Sequence, residues 1–319
     1  MKLKLTLIVI LLIFIISIWI ISNNIQEGFD PISMSAKNRQ IIQQDPDKVY
    51  DPIYANIYKQ VYVKYSGERI QFEVDDLITK TQLRKYENKG ILVDLGCGTG
   101  EHLNSIAVKL GDKGGDKKMN VELAGVDNSS SMLYYAKKYD PPIYLRLIKE
   151  DILNPDIFAN NSITHITCYQ FVIYELGSEK NMEKLFQNIH NWLKPGGYFI
   201  VHLVDREKFD PVPDVSAPFV GIFPQDYYKK RNNVAKVHFS DYIYNSEFKS
   251  KPKSIKATLN EEIIFKNKPI IRRQKVEYII PTVQKMVDKI GKSGFELEDS
   301  TNLDQVEYSY QYIFYFKKT

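Results

Sequence analysis

Cysteine is scarce in this 319-residue chain: Cys97 and Cys168 are the only two. That number excludes a disulfide framework, so a fold of this length must be held by its core, and it favours a reducing compartment for the bulk of the chain. A strong charge bias is also missing. The 43 basic and 39 acidic residues leave a net of +4, and 44% hydrophobic with 26% charged residues is the composition of a globular chain, not of a disordered, collagenous or polytopic one. Long apolar runs are lacking too, with one exception at the amino terminus.

That exception is LTLIVILLIFIISIWII at residues 5–21, seventeen residues with no charge. As a helix it reaches roughly 26 Å, just enough for a hydrocarbon core of about 30 Å. It is apolar all round, unlike a helix buried on one face. No small-residue cleavage site follows in Trp19-Ile20-Ile21-Ser22-Asn23-Asn24, which favours an uncleaved signal-anchor. Lys2 and Lys4 on one side are balanced by Lys37 and Arg39 on the other, so basic residues do not orient it. Residues 1–24 are thus expected to be a membrane anchor, 25–44 a linker and 45–319 the main domain.

In that domain Tyr50, Tyr54, Tyr58 and Tyr62 recur every four residues, which puts them along one helical face. Apolar, strand-like runs follow at 90–95, 121–126, 143–147, 163–169 and 198–204, separated by helix-like stretches such as 129–139 and 179–193. Strand–helix alternation predicts an α/β fold with a parallel sheet covered on both faces. Beyond Asp205 the pattern changes. Residues 206–280 carry β-rich runs at 234–248, 255–265 and 269–280, the last two joined by a Lys266-Asn267-Lys268-Pro269 turn. A helix over 282–292 and strands at 295–298 and 308–316 then resume the α/β pattern, so 206–280 reads as an insertion. This block holds 15 basic and 9 acidic residues, the first suggestion of an anionic ligand or surface, although a solvated face explains it as well.

The chemistry-bearing stretch is Ile91-Leu92-Val93-Asp94-Leu95-Gly96-Cys97-Gly98-Thr99-Gly100-Glu101-His102, an apolar strand running through a glycine turn into a helix. A dinucleotide fingerprint, G-x-G-x-x-G, would need its third glycine at Glu101. A pyrophosphate cradle is therefore disfavoured. The carboxylate of Asp94 beside the turn suits a ligand that carries an ammonium group.

The D-x-G-x-G-x-G turn resembles motif I of the class I S-adenosylmethionine (SAM) dependent methyltransferases. Three further signals follow in the family's order: Asp127 ends the next strand, Glu150-Asp151-Ile152 resembles the acidic–apolar step, and Leu193-Lys194-Pro195-Gly196-Gly197 matches the L-x-P-G-G turn into the fifth strand. The fourth strand, with Thr164-His165 at its start, departs from the family's usual acidic residue. Ala55-Asn56-Ile57-Tyr58-Lys59 resembles the family's amino-terminal lid helix, with Lys59 in place of Asp.

The resemblance implies a Rossmann-like sheet of seven strands with SAM as co-substrate. It implies that Gly96, Cys97, Gly98 and Gly100 form the cofactor loop with Asp94, that Asp127 and the adjoining Asn128 meet the ribose, that Asp151 and Ile152 meet the adenine, and that Tyr54 and Tyr58 cover the cofactor. The β-rich block resembles the antiparallel substrate cap of the glycine and sugar N-methyltransferases, which tilts the expected acceptor towards a small-molecule amine. Tyr169, Gln170, His202 and Asp205, at the ends of strands four and five, are the acceptor-side candidates, with the first three expected to act in catalysis. His238, Tyr242 and Tyr244 are expected to share one face of a cap strand.

No metal is required, because a sulfonium methyl is already electrophilic and the protein has chiefly to align donor and acceptor out of water. Three other readings stay open: a SAM-binding protein without turnover, a protein methyltransferase, and a nucleic-acid methyltransferase. The last lacks the D/N-P-P-Y/F signature, having Tyr169-Gln170-Phe171-Val172 there, and no nucleic-acid partner is expected. Asn128-Ser129-Ser130 is a glycosylation sequon at the expected cofactor site, which favours a cytosolic face for an anchored domain.

Overall fold

The computed structural model describes residues 39–45, 48–63, 66–85, 90–111, 121–138, 145–212 and 233–319. The expected anchor at 5–21 lies outside the described residues, as do the loop at 112–120 and the basic Lys229-Lys230-Arg231. Among the described residues no helix is long and apolar enough to cross a membrane.

Strand β1 (Gln40–Gln43) leads to helix α1 (Pro52–Tyr58). Asp51 caps α1 by accepting from the Tyr54 amide, and Pro52 supplies a preset φ in the first turn. The chain continues as one π-turn, Lys59–Val63, before helix α2 (Gly67–Lys80). Then come β2 (Gly90–Leu95), α3 (Glu101–Leu110), β3 (Val121–Asp127), α4 (Ser130–Lys138), β4 (Leu145–Lys149), β5 (Ile163–Cys168), α5 (Glu179–Trp192) and β6 (Leu193–Val204). The cap strands are β7 (Val234–His238), β8 (Tyr242–Ser250), β9 (Lys256–Phe265) and β10 (Ile270–Ile279). Helix α6 (Val283–Lys292), β11 (Phe295–Asn302) and β12 (Gln311–Lys318) close the chain.

Seven strands form the main sheet in the order β11-β12-β6-β5-β2-β3-β4. β4 to β6 run parallel through β3, β2 and β5, and β12 and β11 add an antiparallel edge. Strand alternation sorts the core into two faces. On β6, Phe199, Val201 and Leu203 pack with α5 and α6, whereas Ile200 packs with α2 and α3. Each helix contributes an apolar stripe: Met182, Leu185, Phe186, Ile189 and Trp192 on α5, spaced at three and four residues, and Ile70, Val74, Leu77 and Ile78 on α2.

The expected seven-stranded α/β sheet is present. The run at 234–248 is two strands joined through 239–241. The cap is a five-stranded sheet, β1-β10-β9-β8-β7, and β1 comes from the stretch expected to be a linker: Gln40–Gln43 pairs in parallel with Ile270 to Arg273 of β10. The core cluster on the α5 face continues through α1 into the cap, so sheet and cap share one interior.

Candidate active site

β3 and β4 lie on one side of β2, and β5 and β6 on the other. The chain thus reverses its direction of travel across the sheet between β2 and β5, where a crevice opens at the carboxyl ends of the strands.

Gly96, Cys97, Gly98 and Gly100 turn the chain out of β2 there. The amides of Gly96 and Cys97 both donate to the Val126 carbonyl, at 2.8 and 3.1 Å, and so fasten the loop to β3. Gly96 has φ +69°, and a Cβ there would lie 2.5 Å from the Val172 methyls. Gly98, at φ +53°, is different: a Cβ would have only Met132 Cε within 4 Å, at 3.5 Å, so this part of the loop faces open space where a ligand could approach the backbone. Gly125 of β3, which the sequence reading did not single out, is needed as well. A Cβ on it would sit 2.6 Å from Cys97 Sγ, so the Cys97 side chain is committed to packing and its part in the loop is a backbone one.

Asp127 stands at the end of β3, half-buried. Its Oδ2 accepts from the Gly98 amide at 2.9 Å and its Oδ1 from the Ser129 amide at 2.8 Å. Burial raises its pKa, and these two amides oppose the rise. Each oxygen retains acceptor capacity, as a carboxylate that receives two hydroxyls must. Asp94 lies deeper, with Oδ1 accepting from Thr167 at 2.7 Å, and burial pushes it up to about 6. Asn128 is exposed beside Asp127. Asp151 is exposed and accepts from the Leu153 amide, and Ile152 is buried in the core below it. These residues fit an adenosine-bearing ligand: a loop with an open glycine, a carboxylate held at the strand end, and an acidic–apolar pair beyond it.

Four tyrosines follow one another along α1 and the π-turn after it, with ring centroids 5.7, 6.4 and 5.1 Å apart along Tyr50, Tyr54, Tyr58 and Tyr62. Tyr58 donates to Gln170 Oε1 at 2.7 Å; Gln170 leaves β5 at φ +51°, and the same turn of chain carries Val172 over Gly96. Burial holds the Tyr58 phenol well above its ordinary range, with Glu101, Glu175 and Asp127 adding to the shift, so Tyr58 stands among three carboxylates.

Other expectations need correction. Tyr54 faces the cap: its hydroxyl bonds both oxygens of buried Glu261, at 2.7 and 2.8 Å. Tyr169 is enclosed on the α2–α3 side, its ring stacked on His102 at 4.2 Å. His202 is fully buried as well. Its Nδ1 donates to the Gln170 carbonyl at 2.7 Å and its Nε2 lies 3.3 Å from Arg69 Nη2. Burial first, then Arg69, lower its pKa to about 3, so it is a neutral interior histidine that braces Gln170. Asp205 turns back onto the chain, accepting from the Glu207 amide. His238 sits on β7 opposite Ile243, on the other face from Tyr242 and Tyr244, because a hairpin separates the two strands.

Two acidic residues escaped the sequence reading. Glu175 follows the turn after β5 and accepts from the Tyr50 hydroxyl on both oxygens at 2.9 Å. Glu261 of β9 accepts from Tyr54, Tyr244, Tyr62 and Gln274. Only an acidic residue soon after the fourth strand, and a Glu alternating with Leu259 and Ile263 on one face of a cap strand, could have signalled them.

The methyltransferase domain model matches residues 93–201, from β2 through β6. A carboxy-S-adenosyl-L-methionine synthase of Nautilia profundicola is 28% identical over 141 residues, 44% of this chain and 53% of that protein; the chain thus spans about half the length of the curated relative it matches. Among solved structures, a SAM-dependent methyltransferase from Clostridium acetobutylicum superposes with a TM-score of 0.59 at 16% identity, covering 83% of this chain and 98% of that one. A SAM-bound amino pentose methyltransferase from Micromonospora echinaspora gives 0.55 at 17%, covering 84% and 97%. With the glycine turn, the strand-end carboxylate and the strand order all in place, residues 93–201 of this chain are a methyltransferase domain, on the fold that the SAM-dependent methyltransferases share.

Proposed function

We propose that the chain transfers the methyl group of SAM to a small-molecule amine, and that its amino-terminal segment holds it at a membrane with the domain on the cytosolic side. The observation that carries the transfer reading is the glycine turn at β2, open at Gly98 and bonded to Asp127 at the switch point of the sheet. SAM, when bound, supplies an electrophilic methyl group on a sulfonium.

The chain's residues position and enclose. Asp127 and Asn128 would receive the ribose, the backbone of Gly96 to Gly100 would follow the amino-acid part above Asp94, and Asp151 with Ile152 would flank the adenine. Tyr58, tied to Gln170, would close the site and exclude water. The preference for an amine draws on the amino pentose methyltransferase, whose likeness extends over most of the chain, and on the cap sheet packed against the site. Membrane attachment draws on the apolar run at 5–21, and the cytosolic side on the two cysteines and on the sequon beside Asp127.

Calorimetric titration of the full chain should show SAM binding and no NAD binding; NAD without SAM would overturn the reading. Labelled SAM incubated with pooled metabolites and lipids should then yield a labelled N-methyl product. Binding without any labelled product would favour a SAM-binding protein. For placement, protease should degrade the domain in sealed, cytosol-side-out membranes, and protection would overturn the cytosolic assignment.

A further inference from the structure

Between the sheet and the cap, aromatic rings and carboxylates converge, with Arg272 over the Tyr54 ring and Arg69 near Tyr58 as the basic neighbours among the described residues. Glu175 receives only the Tyr50 hydroxyl, and among the described residues neither Glu175 nor Glu261 has a basic partner. The nearby Arg272 is committed elsewhere: Nη1 to Asp51 at 2.6 Å, Nη2 to the Val49 carbonyl at 2.8 Å and Nε to Gln274 at 2.7 Å. Glu261 is saturated by its four donors, whereas Glu175 retains acceptor capacity.

A second observation points to a ligand. Tyr278 of β10 is 7% exposed, and its hydroxyl makes no hydrogen bond to a described residue, although its electrostatic neighbours are Glu175, Tyr62, Glu261 and Tyr58. The ring is buried, but the hydroxyl is not among the fully enclosed polar atoms, so it opens onto accessible space where a polar group of a ligand can complete it. Tyr58 and Tyr62, stacked at 5.1 Å with 29° between their planes, add π-faces next to it. Carboxylate, unpaired hydroxyl and aromatic faces together are the chemistry that holds an ammonium ion.

We propose that Glu175, Tyr58, Tyr62 and Tyr278 form the subsite for the acceptor's ammonium group, with Glu175 as its counter-ion. The inference rests on the amine-methylating reading above and assigns its substrate side to named residues. The groups that face Glu175 are Tyr50, Tyr58, Tyr278, Asp127 and Glu261, none of them basic. Burial, relieved by Tyr50 and reinforced by Asp127 and Glu261, pushes Glu175 up to about 7, so an arriving cation would find an ionised partner above neutrality and a neutral one below it.

The test titrates the detergent-solubilised full chain, saturated with S-adenosylhomocysteine, with cyclohexylammonium and, separately, with its neutral counterpart cyclohexanol. The wild type should bind the ammonium at least tenfold more tightly at pH 8, and the preference should shrink by pH 5. Glu175→Gln should abolish the preference and Tyr278→Phe reduce it severalfold, both keeping S-adenosylhomocysteine affinity within twofold, which also reports that they fold. Equal affinity for the two probes, or binding of neither, would overturn the proposal, as would a preference that survives in Glu175→Gln. A tenfold loss of S-adenosylhomocysteine affinity in that variant would overturn it too, by assigning Glu175 to the co-substrate. Failure of the wild type to bind S-adenosylhomocysteine at all would instead overturn the methyltransferase reading.

Discussion

Single residues carry two kinds of constraint here, steric and electrostatic, and each is measurable. Gly96 combines φ +69° with a Cβ position 2.5 Å from the Val172 methyls. Gly96→Ala should therefore cost about 2–4 kcal/mol, the sum of left-handed strain and overpacking. Adding Val172→Ala should return the overpacking share and leave the backbone share, a split that urea unfolding of the double-mutant cycle would read. Glu175 is an electrostatic case. Its folded pKa, raised to about 7, means that this group favours the native state below its unfolded value and that the benefit is lost as pH rises through 7. A permanently neutral side chain avoids that loss, so Glu175→Gln should be about 2 kcal/mol more stable than wild type above pH 7, after discounting for screening of a half-buried group. The gain should vanish near pH 4.5, and thermal unfolding at pH 8 and pH 5 would show it. Stability withheld at an acidic residue is the pattern expected of a functional site.

Among the elements, α1 is the one whose placement decides most. It has only seven residues and would not be stable alone, so tertiary contacts must hold it. Arg272 is the clamp: its guanidinium bonds Asp51 and the Val49 carbonyl just before α1, and its carbon Cζ lies 5.7 Å from the centre of the Tyr54 ring. Lysine cannot reproduce three directed bonds, so Arg272→Lys should lose about 2–3 kcal/mol and expose residues 50–63 to limited proteolysis. Unchanged protease resistance would show that the tyrosine–Glu261 contacts hold α1 by themselves. On the opposite face α2 is docked through buried Glu73, which accepts from Arg69 Nε and lies 2.7 Å from His102 Nε2. Burial alone would raise Glu73, but Arg69 and His102 outweigh it and bring it to about 2. This network ends at His202 and the Gln170 carbonyl, so α2 supports the crevice from beneath.

At the scale of the whole molecule, sheet and cap share one interior, since the same cluster contains Phe199 of β6, Tyr54 of α1 and Tyr244 of β8. Shared burial predicts a single unfolding transition for both. S-adenosylhomocysteine at a hundred times its Kd should then raise the stability of the entire unit by about 2.7 kcal/mol, a shift of several degrees in Tm. Asp127→Ala removes the acceptor of two backbone amides and, on the proposed reading, of the ribose, and should raise the ligand concentration needed for the same shift by about thirtyfold, or about 2 kcal/mol. An unchanged ligand dependence would remove Asp127 from the cofactor site.

How much of this was legible follows from the range of the forces involved. The order of strands and helices, the helix start at Glu101, the glycine turn with Asp127 after it, and the hairpin at 266–269 are local: apolar period, capping and positive-φ glycines write them into short stretches of sequence. What strands alternate with helices cannot say is which side chains meet across the fold. That Tyr54 turns to the cap while Tyr58 stays at the crevice depends on where β9 places Glu261, 207 residues away. His202 and Tyr169 looked available because strand ends usually are; burial under α2 and α3 removed them from the list of accessible groups. Gln40–Gln43 joins the cap because β10 offers an edge to pair with, which no local pattern reveals. Sequence alone determined the kind of fold and the place of its glycine loop, because those rest on neighbours along the chain. Tertiary structure alone decided that the Glu175 carboxylate, bonded by Tyr50 but by no basic residue among those described, meets the Tyr278 phenol between sheet and cap, because their environment is built from segments far apart in the chain.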